Sequence, residues 1–124
     1  MAQTILEFRL DRDKADAIQK ICQQLGIRIV SVERRDYGQK LGALAGVKGF
    51  VKEKKIYTGA EFPAEMLVFS GMNSLQVDTF LDAYKTYGVA PIALKAIVTA
   101  HNVSWSADVL LRELMQEHLS LGKK

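Results

Sequence analysis

The chain has 124 residues, 48 % hydrophobic and 25 % charged, a composition that supports one packed domain and excludes a disordered tail. Its net charge is +3, and with Lys123 and Lys124 supplying much of the excess, charge alone does not mark a nucleic-acid binder. No apolar run approaches the ~20 residues of a membrane span, the start does not read as a signal peptide, and the lone Cys22 has no disulfide partner in the chain, so a reducing cytoplasm is expected.

TILEFRL reads as a strand in which Leu6, Phe8 and Leu10 alternate with Ile5, Glu7 and Arg9. A helix follows over 11–25, capped by Asp11 or Asp13, with Ala15, Ile18, Ile21, Cys22 and Leu25 as its apolar stripe and Gly26 as its stop. IRIVSVER is a second strand, and YGQKLGALAG (37–46) a short helix bounded by glycine. Residues 47–64 are polar and mixed and read as a surface loop with a short extended piece at Phe50 and Val51. The run of Lys52, Lys54 and Lys55 around Glu53 reads as solvated. EMLVFSG is a third strand, leading into a helix over 73–87 whose Asn73 and Gln76 stand at capping-box spacing. Its stripe is Val77, Phe80, Leu81 and Tyr84, and Gly88 closes it. In PIALKAIVT, Ile92, Leu94, Ala96 and Val98 alternate with Ala93, Lys95 and Ile97. A last helix spans 106–121, with Asp108 and Arg112 one turn apart and Val109, Leu110, Leu114 and His118 facing the core.

The order repeats. Phe8 matches Phe69 and Gly26 matches Gly88, which gives two copies, 4–46 and 65–121, joined by 47–64 within a single domain over 1–124. The alternating strands predict an α+β fold: a ferredoxin-like sandwich from a duplicated strand–helix–strand unit plus a C-terminal helix. Its helices share one face and the first strand of each copy lies at the centre. The alternative is an α/β fold with a four-stranded parallel sheet. MLVF at 66–69 is apolar on both faces, so the inter-copy segment, the last helix or a second molecule must cover the far face. A symmetric homodimer is therefore expected.

MLVFSG, a helix, then LKAIVTAHNVSWSADVLLRELMQEH resembles a bacterial domain-of-unknown-function family, number 3783. The resemblance rests on Leu94, Lys95, Ala96, Thr99, Asn102, Trp105, Leu110, Glu113, Leu114, Glu117 and His118. It extends into the first half through GIRIVSVERRDYGQKLGALAGVKGF. Ala100 and His101 depart from it where a proline is expected near the threonine. The resemblance implies no assigned activity, cofactor or catalytic residue.

The chemistry-bearing residues are few. His101 and His118 have no ligand-type partner nearby, so no metal or cofactor is expected. Ser70 lacks a GxSxG setting, and FSGMNS has too few glycines to cradle a phosphate. Lys48-Gly49-Phe50-Val51 resembles part of an RNP1 pattern but falls in the loop, away from the central strands, so RNA binding is the least favoured reading. The loop from Thr99 to Trp105 is the densest polar segment and leads into a helix N-terminus that could receive a small anionic ligand. If strands two and four end at the same end of the sheet, Tyr37, Gln39 and Lys40 join Thr99, His101, Asn102 and Trp105 around a concave polar surface. Lys95 stands nearby in mid-strand. A fully parallel sheet would add Ser70 and Asn73 to that rim. The residues favour a non-enzymatic binding or regulatory module with a small anionic ligand or a protein partner. The alternative is a small enzyme using Lys95, His101 or Glu113 in a site completed by dimerisation.

Overall fold

The computed structural model describes residues 3–122, with side chains described as far as Glu117. The elements are β1 (Thr4–Phe8), α1 (Arg12–Leu25), β2 (Arg28–Ser31), a 3-10 turn (Arg34–Asp36), α2 (Leu41–Ala45), β3 (Met66–Ser70), α3 (Ser74–Lys85), β4 (Leu94–Ile97) and α4 (Ala107–Gly122). Their local causes are those of the sequence. Asp11 caps α1 by accepting from the Lys14 amide, Gly26 ends it at φ 70°, and Asn73 and Gln76 form a full capping box on α3.

The four strands form one mixed sheet in the order β2-β1-β3-β4. β1 and β2 are parallel, β3 and β4 are parallel, and the central β1–β3 pair is antiparallel. The two first strands are central, as expected. The edges differ from a ferredoxin-like sandwich, which splits each strand–helix–strand unit by inserting a strand of the other copy. Here each edge strand stays beside its own partner, and β2 and β4 run in opposite directions, so their ends do not meet at one end of the sheet. The wholly parallel alternative fails at the antiparallel centre.

Burial supplies the physical reason. All five residues of both β1 and β3 are buried, and a strand covered on both faces needs a layer on each side. α1 and α3 cover one face, with Ile18, Ile21, Val77 and Phe80 packed on Ile5, Leu67 and Phe69. The other face is covered by α2, α4, Tyr37 and Phe62 over Leu6, Phe8, Met66 and Val68. The far face of MLVF is thus closed by the inter-copy segment and the last helix, and its cover needs no second molecule. In α1 Ile18, Ile21 and Cys22 are buried as expected; only the ends of the stripe differ, with Ala17 buried, Ala15 half-buried and Leu25 43 % exposed.

The repeat also changes register. The offset that carries Gly26 onto Gly88 carries Leu6 onto Val68, and those two are cross-strand partners. The halves are therefore related by an approximate two-fold axis through the sheet between Leu6 and Val68. Matching Phe8 with Phe69 falls one residue short of that offset. A one-residue slip moves a side chain to the opposite face, and Phe8 indeed belongs to the α2/α4 core while Phe69 belongs to the α1/α3 core.

Candidate functional site

The turn 99–105 leaves β4 and closes on itself. The Thr99 amide donates to Asn102 Oδ1 at 2.8 Å, and the amides of His101 and Asn102 donate to Thr99 Oγ1, each at 3.2 Å. Asn102 Nδ2 reaches back to the Ile97 carbonyl at 3.1 Å. Trp105 is half-buried against the α2/α4 core, and His101, exposed, meets its ring edge-on at 5.3 Å. These polar side chains build the turn, as Asx-type and Ser/Thr-type turns do.

Tyr37, Gln39 and Lys40 do lie beside this turn, through the backbone rather than through neighbouring strand ends. The amides of Leu41 and Gly42 donate to the carbonyls of Trp105 and Val103, and Lys40 bridges Ser106. In return the amides of Ala107 and Asp108 donate to the carbonyls of Gln39 and Tyr37. The first free donors of α4, read as the seat for an anion, are taken within the chain. The three side chains are also committed or turned away. Tyr37 is buried, stacks on Phe62 at 3.8 Å and donates from its hydroxyl to Glu61 at 2.5 Å. Burial first, then that contact, raises the Tyr37 hydroxyl pKa; the same hydrogen bond holds the Glu61 carboxyl below the ordinary range. Gln39 is buried and clamps the loop, and the Lys40 side chain is exposed.

Lys95 belongs elsewhere. It lines a groove of about 400 Å³ between α3 and β4, on the α1/α3 side, with Asp78, Asp82 and Lys85. Its Nζ donates to the Ile92 carbonyl at 2.7 Å, and Tyr84 in the same groove donates to the Ala90 carbonyl at 2.7 Å. The groove is larger than the cleft described next, and its Lys95 and Tyr84 are bonded to backbone carbonyls of its own wall, whereas Asp78 has no hydrogen bond or ion pair among the described residues.

A smaller cleft of about 260 Å³ opens at the carboxyl ends of the parallel β3–β4 pair, lined by Val47, Phe50, Ser70, Gly71, Val98, Thr99, Ala100 and Val103. Ser70 thus joins the rim with Thr99, as a parallel arrangement of these strands requires. Gly42 sets the roof: a Cβ there would stand 2.7 Å from Phe50 Cγ and 3.0 Å from Val103 Cγ2. Only glycine lets the α2 backbone approach this closely. Ser70 is 2 % exposed and its hydroxyl makes no hydrogen bond among the described residues. Yet Glu7 Oε2 is the only sealed side-chain polar atom without a partner among those residues, so Ser70 Oγ opens onto the cleft. Val98, Val103 and Phe50 are residues that sequence reasoning did not place in a site, whereas Ser70, the serine ending the apolar run MLVF, belongs to the rim that the parallel alternative predicts.

Other titratable groups lie away from the cleft. Burial pushes the Cys22 thiol up to about 12, with Glu7 nearby adding to the effect. Among the described residues no group of three or more His, Cys, Asp or Glu is placed to hold a metal ion, and no helix is long and apolar enough to cross a membrane. The His118 side chain lies outside the described residues.

Residues 65–121 match the model of a family described as a domain of unknown function (DUF3783). The match takes in β3, α3, β4 and nearly all of α4, a little under half of the chain, and the family has no assigned activity. The likeness read in the first half lies outside the matched span. No curated protein and no solved structure matches the chain.

Proposed function

We propose that this protein is a non-enzymatic binding module that takes a small, neutral molecule into the cleft at the carboxyl ends of β3 and β4. The observation that carries this reading is Ser70: a buried hydroxyl without a protein partner, aimed into a recess with apolar walls. Its Oγ opens onto the cleft, so a ligand seated there can take a hydrogen bond that no group of the described protein supplies. The position supports the reading too, because ligands of open α/β sheets gather outside the carboxyl ends of parallel strands. The lining includes no ionisable side chain, which favours a neutral ligand over an anionic one and binding over acid–base chemistry. The volume falls below the ~300 Å³ at which drug-sized pockets begin, so the ligand is small. An enzyme completed by dimerisation would have to bring its ionisable groups to this cleft from the second copy.

A thermal-shift screen of neutral small molecules against the wild type and two variants tests this. A ligand of the cleft raises the melting temperature of the wild type. It raises that of Ser70→Val less, and leaves that of Val103→Phe, which fills the recess, unmoved. An equal shift in all three proteins, or a panel without a hit, refutes the assignment.

A further inference from the structure

We propose that the groove between α3 and β4 binds a free α-amino acid with an apolar side chain, at a site separate from the cleft that holds Ser70. The two halves of the chain differ where this groove lies. In the first, only Ile27 separates the helix stop Gly26 from Arg28, where β2 begins. In the second, residues 89–93 separate Gly88 from Leu94, where β4 begins. Arg28 pairs with Thr4 and Leu94 with Met66, and the two-fold axis exchanges Thr4 and Met66. The edge strands thus start at equivalent places, and the longer connection lengthens no strand. It adds a wall: its Val89, Pro91 and Ile92 line about 400 Å³ together with Leu81 and Tyr84 of α3.

The wall is tied to both neighbouring elements. The Tyr84 hydroxyl donates to the Ala90 carbonyl and Lys95 Nζ to the Ile92 carbonyl, each at 2.7 Å. A recess built in advance loses little entropy on binding. Its charges select the ligand. The Lys95 ammonium has three donors, of which one is used on its own wall, and it makes no ion pair among the described residues. It can therefore donate to a carboxylate. Asp78 has no hydrogen bond or ion pair among those residues and can accept from an ammonium. Asp82 and Lys85, at 4.0 Å, offset each other. Buried Ile92 and Tyr84, with half-buried Leu81 and Val89, receive the apolar side chain. An amine alone would leave Lys95 without a counter-charge, and an acid alone would leave Asp78 so; a zwitterion pairs with each. Both charged groups are exposed, so each pair adds modestly and the affinity is millimolar.

The probe is L-leucine, titrated into the isotopically labelled full-length protein and followed by amide chemical shifts in NMR. Saturable shifts should fall on residues 78–85 and 89–95. N-acetyl-leucine, which lacks the ammonium, and leucinamide, which lacks the carboxylate, should each bind about fivefold more weakly. Glycine, which carries both charges and no side chain, should not saturate. Asp78 and Lys95 are exposed, so Asp78→Asn and Lys95→Gln keep the dispersed spectrum of the fold, and each should weaken leucine binding to the same degree as the matching derivative. The blocked derivatives repeat the test on the unaltered protein. The proposal is overturned if L-leucine gives no saturable shift, if its shifts centre on Ser70, Thr99 and Val103, or if glycine, either derivative or either variant binds as tightly as leucine binds the wild type.

Discussion

The two ends of the α2/α4 face differ although the backbone makes them equivalent. Rotation about the axis between Leu6 and Val68 places Phe8 on Ser70 and Met66 on Thr4. At the first end, Phe8, Met66 and Leu94 form an apolar row across the sheet, and the stacked rings of Tyr37 and Phe62 lie 5.9–6.0 Å from that of Phe8. At the second, the row reads Arg28, Thr4 and Ser70, and the cleft opens above it. A shared scaffold therefore offers two candidate sites, and the side chains of one row decide which is sealed and which stays open.

The largest test of that contrast is Phe8→Ala, which opens the sealed end. It should cost about 3–5 kcal/mol in urea denaturation, because the ring is fully buried against the stacked Tyr37 and Phe62. A loss below ~1 kcal/mol would mean that the end is not packed as described. Gly42→Ala attacks the open end through its roof: the added carbon meets Phe50 and Val103 and should cost about 1–3 kcal/mol while reshaping the cleft, visible as a changed response in the thermal-shift screen.

The third test carries the comparison to the opposite face, where Glu7 occupies the place that Phe69 holds in the other half. Phe69 packs edge-on against Phe80, whereas Glu7 is a buried carboxylate with one oxygen on Ser31 and the other unpaired. Burial raises its pKa, partly offset by the Ser31 hydrogen bond. The folded state then holds the proton more tightly than the unfolded chain. Its contribution is full below the ordinary glutamate range and is lost as pH rises through the raised folded value. Glu7→Met should stabilise the protein by about 1–2 kcal/mol at neutral pH and flatten that slope in melts across mildly acidic pH. The smallest effect belongs to Ser70→Val, which replaces the cleft-facing hydroxyl by a methyl group and adds a second methyl toward the cleft, and which should stay within ~1 kcal/mol of the wild type in the same urea series. A large loss there would show that the hydroxyl has a structural role.

Local signals carried most of the elements. Asp11, Gly26, Asn73 and Gln76 mark helix ends by chemistry that acts over three or four residues, and the structure places those ends there. The strand order was not legible, because either edge strand satisfies its alternation next to either central strand. The two-sided cover was legible in MLVF of β3, but not in β1, where the polar Thr4 and Glu7 are buried all the same. The neighbourhood of Tyr37, Gln39 and Lys40 with the turn 99–105 was anticipated on a wrong premise about strand direction. The actual link is a backbone ladder, which side-chain types do not encode. In the sequence Ser70 is a hydroxyl without a base that reaches the rim only if β3 and β4 are parallel, as they are. Its significance depends on Phe50 and Val103 arriving from segments distant in sequence.

Gln39 has a kinetic consequence. An amide carries no charge, so its grip on Glu53 does not weaken with salt or pH as the exposed Lys52–Asp36 pair does. It is also buried at the start of α4, where its carbonyl accepts from Ala107. Freeing the loop therefore means disturbing the packed face beneath it. In hydrogen exchange, the Glu53 amide should persist as a single slow proton among fast-exchanging neighbours, decaying with the opening of the α2/α4 layer rather than with local loop motion.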